Sequence, residues 1–193
     1  LGYNKETMAC LFIPETYQVY WDMSVEDFFK RMRKEHQRFW NQKRLDQAKA
    51  IGMTPEEVCT LASIVEEETN NNPEKPMVAG LYINRLHAGM PLQADPTVKF
   101  ALQDFGLRRI TNEHLTIDSP YNTYRNPSLP PGPIRIPSPV GLDAVLNHAK
   151  HNYIYMCAKE DFSGTHNFAS NYADHMKNAR KYWNALNERK IFK

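Results

Sequence analysis

Cysteine is nearly absent from the chain. Cys10, Cys59 and Cys157 are scattered over 193 residues, and no two have CxxC spacing. That excludes a zinc knuckle or a dithiol redox motif, and the odd count speaks against a disulfide framework. Each cysteine is expected to be a small buried hydrophobe. Long apolar runs are also missing. None approaches the roughly 20 residues that span a bilayer, and no secretory signal pattern opens the chain. The chain starts at Leu1 and its first methionine is Met8, as expected for a fragment of a longer protein. Missing targeting segments therefore say little about the parent. An excess of one charge is lacking too: the net charge is +2 with histidine neutral, which implies no strong electrostatic partner. There is no GxSxG, HExxH, phosphate loop or GxGxxG. Asn126-Pro127-Ser128 is no glycosylation acceptor, because proline fills the middle position.

The residues present suit one soluble domain with a sizeable core: 41% are apolar and 24% charged. No internal repeat or low-complexity linker is visible. Leu11 to Tyr17 reads as extended. A long helix is expected from Ser24, with Val25, Phe28, Phe29, Met32, His36, Phe39 and Trp40 on one side. Lys30, Arg31, Arg33, Lys34 and Arg38 form its solvated face. The second helix has a clear start. Thr54 caps it, Pro55 fits the first turn and Glu57 completes a capping box; it should run to about Thr69. A third helix should start near Pro73 or Pro76 and stop at Gly89. Asp95-Pro96 reads as a cap and first turn, opening a short helix that ends near Gly106. Residues 119–139 are proline-rich, with little regular structure. Ser138-Pro139 should start a helix to about Ala149. Tyr153 to Ala158 reads as a strand, Ser163-Gly164 as a turn into a second strand through Phe168, and Tyr172 to Glu188 as a final helix. The fold class is α+β, mostly helical with a small β-sheet.

Leu61-Ala62-Ser63-Ile64-Val65-Glu66-Glu67-Glu68-Thr69 is the segment richest in chemistry. Val58, Leu61, Ala62 and Val65 recur at helical spacing and should face the core. At about 100° per residue, Glu67 lies opposite them in solvent. Glu66 and Glu68 flank Glu67, and either could sit half-buried at a cleft edge. Desolvation would raise the pKa of such a carboxyl, which is what a general acid near neutral pH needs. Spacing alone does not choose between the two.

Several blocks resemble one family in its own order. Leu11-Phe12-x-Pro14-x-Thr16-Tyr17 comes first, then Ala62-Ser63-Ile64-Val65-Glu66-x-Glu68-Thr69. Val78-Ala79-x-x-Tyr82-Ile83-Asn84-Arg85-Leu86 follows, and after it Gly89-Met90-x-Leu92-Gln93-x-Asp95-Pro96-Thr97-Val98. Tyr121-Asn122-Thr123-Tyr124 precedes Leu129-Pro130-Pro131-Gly132-Pro133-Ile134. Gly164-x-His166-x-Phe168 with His175 closes the series. Together these resemble the MltG, or YceG-like, endolytic murein transglycosylases. The resemblance implies that the whole chain, 1–193, is their catalytic domain. It also implies an N-terminal membrane anchor and a LysM-like region outside this chain, at the outer face of the cytoplasmic membrane. The implied substrate is the peptidoglycan glycan strand, cut at the β-1,4 bond between N-acetylmuramic acid and N-acetylglucosamine to leave a 1,6-anhydro end. Cell-wall synthesis proteins are the implied partners, and no cofactor or metal is implied. The first glutamate of E-x-E-T, Glu66, is the implied catalytic residue.

The remaining implied contacts to glycan are Glu68, Gln93, Asp95, Tyr121, Asn122, Thr123, Tyr124, His166, Phe168 and His175. Aromatic faces and amides suit a sugar's C–H faces and hydroxyl edges. Structural roles remain open beside them: Asp95 as a helix cap, Asn122 as a turn brace, and His166 and His175 as satisfied structural histidines. His166 and Phe168 share a strand face. The two histidines lack a third metal ligand at suitable spacing. His148 and His151 read as a helix C-terminal pair. Three competing functions are weaker. A glycan-binding module without catalysis needs no half-buried acid. A pyridoxal-phosphate lyase needs a lysine context and a phosphate cradle that are not seen. A nucleic-acid binder would rest on the first helix alone.

Overall fold

Nearly every side of one helix is buried, and that helix organises the core. In the computed structural model, which describes residues 2–107 and 110–189, Pro55–Glu68 forms this central helix, α3 in chain order. Its capping box forms as read: the Thr54 hydroxyl accepts from Glu57 N (3.2 Å), and the Glu57 carboxylate accepts from Thr54 N (2.8 Å). Val58 to Glu66 are all buried, rather than a single stripe. Polar residues survive there because they are satisfied locally. The Thr60 hydroxyl donates to Glu56 O (2.8 Å) and Ser63 to Thr60 O (2.7 Å), and Ser63 Oγ also accepts from Ile134 N (3.0 Å).

Helices α4 (Lys75–His87) and α6 (Pro139–Leu146) pack on α3 and on each other, and α5 (Asp95–Leu102) covers its C-terminal half. Gly80 permits the close approach within this layer. A Cβ there would run into the Ala149 carbonyl and the His151 ring. Two short strands, β1 (Tyr155–Ala158) and β2 (His166–Ala169), form an antiparallel hairpin with Tyr155 opposite Ala169 and Ala158 opposite His166. The last helix, α7 (Tyr172–Glu188), packs across it. Among the described residues no helix is long and apolar enough to cross a membrane. The α+β class, mostly helical with a small sheet, is borne out.

Several expectations are corrected. The first helical segment is two helices, α1 (Val25–Phe39) and α2 (Gln42–Ala50). Trp40 ends α1 and is buried, and the Asn41 side chain accepts from Arg44 N (3.1 Å) to start α2. Only part of the expected α1 stripe reaches the core. Met32 is buried, while Val25 is exposed and Phe28 packs beside Phe12 and Phe29 at the edge. The α1 cations pair within the helix, Lys30 with Glu26 and Arg31 with Glu35. Asp95 is the first residue of α5 and caps nothing; the cap position is Ala94. Helix α5 stops at Leu102, where Gln103 turns left-handed (φ 55°), and α6 stops at Leu146. Cys10 and Cys59 are buried as expected, but Cys157 is only partly covered.

Candidate active site

The last turn of α3 meets α4, the segment before α5, and β1 around a cleft of about 400 Å³, a volume typical of small-ligand sites. Glu68, Gln93, Asp95, Tyr124, His166 and His175 all line it. The Glu68 carboxyl sits against Tyr82, whose hydroxyl donates to Oε1 (2.8 Å). Burial pushes this carboxyl up to about 7. The charges of Asp95 and Glu67 push the same way, and the Tyr82 hydrogen bond and His166 pull back. Opposite, the Tyr124 hydroxyl donates to Asp95 Oδ1 (2.5 Å).

Glu66 lies elsewhere. Two residues earlier on the helix, it turns about 200° from Glu68, into the seam between α3 and α6, and is 7% exposed. Lys75 Nζ donates to its Oε1 (3.1 Å), Ser138 N donates to Oε2 (3.1 Å), and the Ser138 hydroxyl donates to Oε1 as well. Arg135 Nε lies 3.8 Å from Oε2. Burial alone would raise this carboxyl. The Ser138 hydrogen bonds and the Lys75 ammonium outweigh it, and hold the carboxyl below the usual carboxylate range. Gly141 completes the seam, since a Cβ there would stand 2.8 Å from Glu66 Oε1. Of the two glutamates, Glu68 is the one that lines the cleft, while Glu66 is turned into the seam between α3 and α6.

Residues 2–181 match the YceG-like family. The chain belongs to this family. It is 34% identical over 168 residues to an endolytic murein transglycosylase of Bacillus subtilis (strain 168), covering 87% of this chain and 46% of that protein. A namesake from Streptococcus pneumoniae serotype 2 (strain D39) is 33% identical over 141 residues, covering 71% of this chain and 25% of that one. The crystal structure of a YceG-like protein from Listeria monocytogenes superposes with a TM-score of 0.71 at 34% identity, over 84% of this chain and 52% of that one. The chain thus spans about half the length of two of these relatives and a quarter of the third.

In this YceG-like chain the 121–124 block is mostly scaffold. Asn122 is fully buried. Its amide donates to Leu115 O and Ile117 O (both 2.9 Å), and its carbonyl accepts from Tyr124 N (3.0 Å). Thr123, also buried, accepts from Ala94 N through its hydroxyl (3.0 Å) and from Gln93 N through its carbonyl (3.0 Å). Tyr121 packs on Phe100, with ring centroids 4.7 Å apart, and faces away from the cleft. The turn-bracing alternative holds for Asn122, and Tyr124 is the block's one residue in the cleft. Phe168 packs against the core beside Tyr153 rather than lining the cleft. Beyond the α6 end, the His148 ring bonds Val145 O (3.1 Å), while the His151 ring instead reaches Met77 O on α4 (3.0 Å).

Five residues without an assigned role from the sequence, Tyr82 among them, shape the cleft. Glu74 is buried; its carboxylate accepts from Thr69 Oγ1 (2.9 Å) and His166 N (2.7 Å), and stands 3.0 Å from His166 Nδ1. This fixes the ring so that its other nitrogen is free for the cleft. Arg85, also buried, donates to the carbonyls of Ile154 (2.7 Å), Pro91 (3.1 Å) and Leu92 (2.6 Å), tying the residue before β1 to the segment before α5. It also reaches the Gln93 side chain (3.3 Å), whose backbone is left-handed (φ 55°). Tyr155 stacks on His175 at 5.2 Å, with Tyr172 edge-on to Tyr155. The His175 Nδ1 is buried without a partner among the described residues. Tyr82 and Arg85 fall inside a motif block, so their sequence signal existed. Glu74 lies in none.

Proposed function

We propose that this chain is the catalytic domain of an endolytic peptidoglycan lytic transglycosylase, and that Glu68, not Glu66, is its acid and base. One observation carries the assignment: Glu68 is the carboxyl that faces the cleft with its proton held up to about 7. The names of the relatives supply the substrate class.

The Glu68 proton passes to the glycosidic oxygen as the bond from muramic C1 breaks and positive charge develops at C1. The muramic C6 hydroxyl then closes onto C1, and its proton returns to the Glu68 carboxylate. Atoms balance without added water, so the product weighs one water less than a hydrolysed fragment. One carboxyl serves both steps, as befits a group poised near neutrality. Asp95, hydrogen-bonded to Tyr124, lies at the cleft edge beside Gln93, positioned for sugar hydroxyls. His166 and His175 face the same space. The work is done at the cell envelope, on the outer face of the cytoplasmic membrane, held there by an anchor outside this chain and beside cell-wall synthesis proteins.

Digestion of purified glycan strands, read by mass spectrometry, tests this. The expected products are anhydro-ended fragments that resist borohydride reduction, formed equally well in a chelator. Glu68→Gln should abolish them. Cleavage by Glu68→Gln together with loss in a folded Glu66→Gln protein would return the role to Glu66. Reducible ends would make the reaction a hydrolysis, with Asp95 as the second carboxylate.

A further inference from the structure

A second cavity, of about 590 Å³, lies against the cleft. The two share a wall. Glu68 and Asp95 face the cleft, while their chain neighbours Glu67 and Pro96 face the second cavity. Consecutive Cα atoms are about 3.8 Å apart, so only the last turn of α3 and the first turn of α5 lie between. The floor of this cavity is aromatic. The Phe100 and Phe105 rings meet edge-on at 6.4 Å, and Phe105 is 66% exposed. Its rim carries two cations. Arg135 is taken by Glu67 (2.7 Å), whereas the Lys99 ammonium pairs with no carboxylate among the described residues.

We infer that this cavity is a glycan subsite continuing the cleft, which holds the stretch of strand beyond the scissile bond. The inference rests on the reading of the cleft as the cutting site. An enzyme that cuts inside a strand must hold sugars on both sides of the cut, and the cavity adjoins the cleft across one helical turn. An exposed aromatic ring offers the C–H face of a sugar its stacking surface. The unpaired Lys99 offers a partner to the carboxylates that muramic units and their peptide stems carry. The ligand class is therefore an acidic, peptide-bearing glycan rather than a neutral one.

The test compares strand lengths and stems. Phe105→Ala removes a mostly exposed ring and should leave the fold intact. On long strands it should raise KM about three- to tenfold with kcat unchanged. On the shortest fragment still cleaved, neither constant should move. Lys99→Gln should raise KM on stem-bearing strands and not on strands stripped of peptide. No change with long strands, or an equal change at both lengths, overturns the subsite; an equal Lys99→Gln effect on stripped and stem-bearing strands overturns the acidic ligand class. A binding measurement keeps the two readings apart. Long strands added to the Glu68→Gln protein should shift the amide resonances of Lys99 to Gly106, and unmoved resonances overturn the subsite. Full cleavage by Glu68→Gln would remove the cleft reading, yet those resonances would still decide what the second cavity binds.

Discussion

Two carboxyls two residues apart on one helix are shifted in opposite directions, Glu68 upward by burial and Glu66 downward by its donors. Glu66 meets an ammonium and two Ser138 donors. Glu68 meets a tyrosine and an apolar wall, with two other acids close by. Pairs of acids pushed apart in this way mark acid–base assignments. Glu68→Gln should lower kcat by at least about 10²–10⁴-fold, the usual worth of general acid catalysis. Because the acid must be protonated to act, kcat/KM should fall as pH rises through about 7, losing about tenfold per unit beyond it. A flat profile to pH 9 would remove Glu68 from the role. Glu74→Gln tests the support of His166. Loss of its carboxylate should lower kcat and shift the pH profile with little change in KM, while a purely structural role would lower the melting temperature alone. The E-x-E-T motif was legible in the sequence, but the choice of glutamate was not. The partners that decide it, Lys75 and Ser138, come from other elements and are 9 and 72 positions away from Glu66.

At the scale of elements, local chemistry was the legible part. The α3 capping box, the Ser138 and Thr54 caps and the turn before β2 all form where the residues ask for them. Helix α2 was missed because Phe39 and Trp40 extend the apolar pattern of α1, and the break depends on Trp40 dropping into the core. The cap reading of Asp95 fails because α5 begins one residue earlier than its Asp-Pro pair suggests, with Ala94 at the cap position and the Asp95 carboxylate turned to the Tyr124 hydroxyl. Ser138 does two jobs at once: its hydroxyl accepts from Gly141 N (3.1 Å) to cap α6 and donates to Glu66. Ser138→Ala should therefore cost more than an ordinary cap, which is worth about 1 kcal/mol, because Glu66 also loses a donor in a buried seam. Urea denaturation of Ser138→Ala beside Thr54→Ala measures the difference. Equal losses would mean that the bond to Glu66 adds nothing.

For the whole molecule, the two glutamates predict opposite effects of pH on stability. Glu66 has a folded pKa below its unfolded one, so its contribution is present above the unfolded value and is lost as pH falls through the folded one. Glu66→Gln leaves the buried Lys75 without its counter-charge. Breaking a buried pair from one side typically costs about 3–5 kcal/mol, so this variant should melt well below the parent at pH 8. Glu68 runs the other way. Its folded pKa is about 7 against an ordinary 4.5, so the native state holds the proton more tightly and stability declines as pH rises between those values. Above pH 7 the ionised, half-buried carboxylate costs on the order of 3 kcal/mol. Glu68→Gln keeps the acceptor for Tyr82 and removes the charge. It should raise the melting temperature at pH 8 by about 2–4 °C per kcal/mol, with the gain vanishing near pH 4. An inactive variant whose stability advantage over its parent grows as pH rises from about 4.5 to about 7 is what a strained acid in an active site predicts. Thermal melts of the two single variants at pH 4, 6 and 8 distinguish the roles without any substrate. If Glu68→Gln melts at or below the parent at pH 8, Glu68 is not held protonated, and the assignment of the acid fails with it.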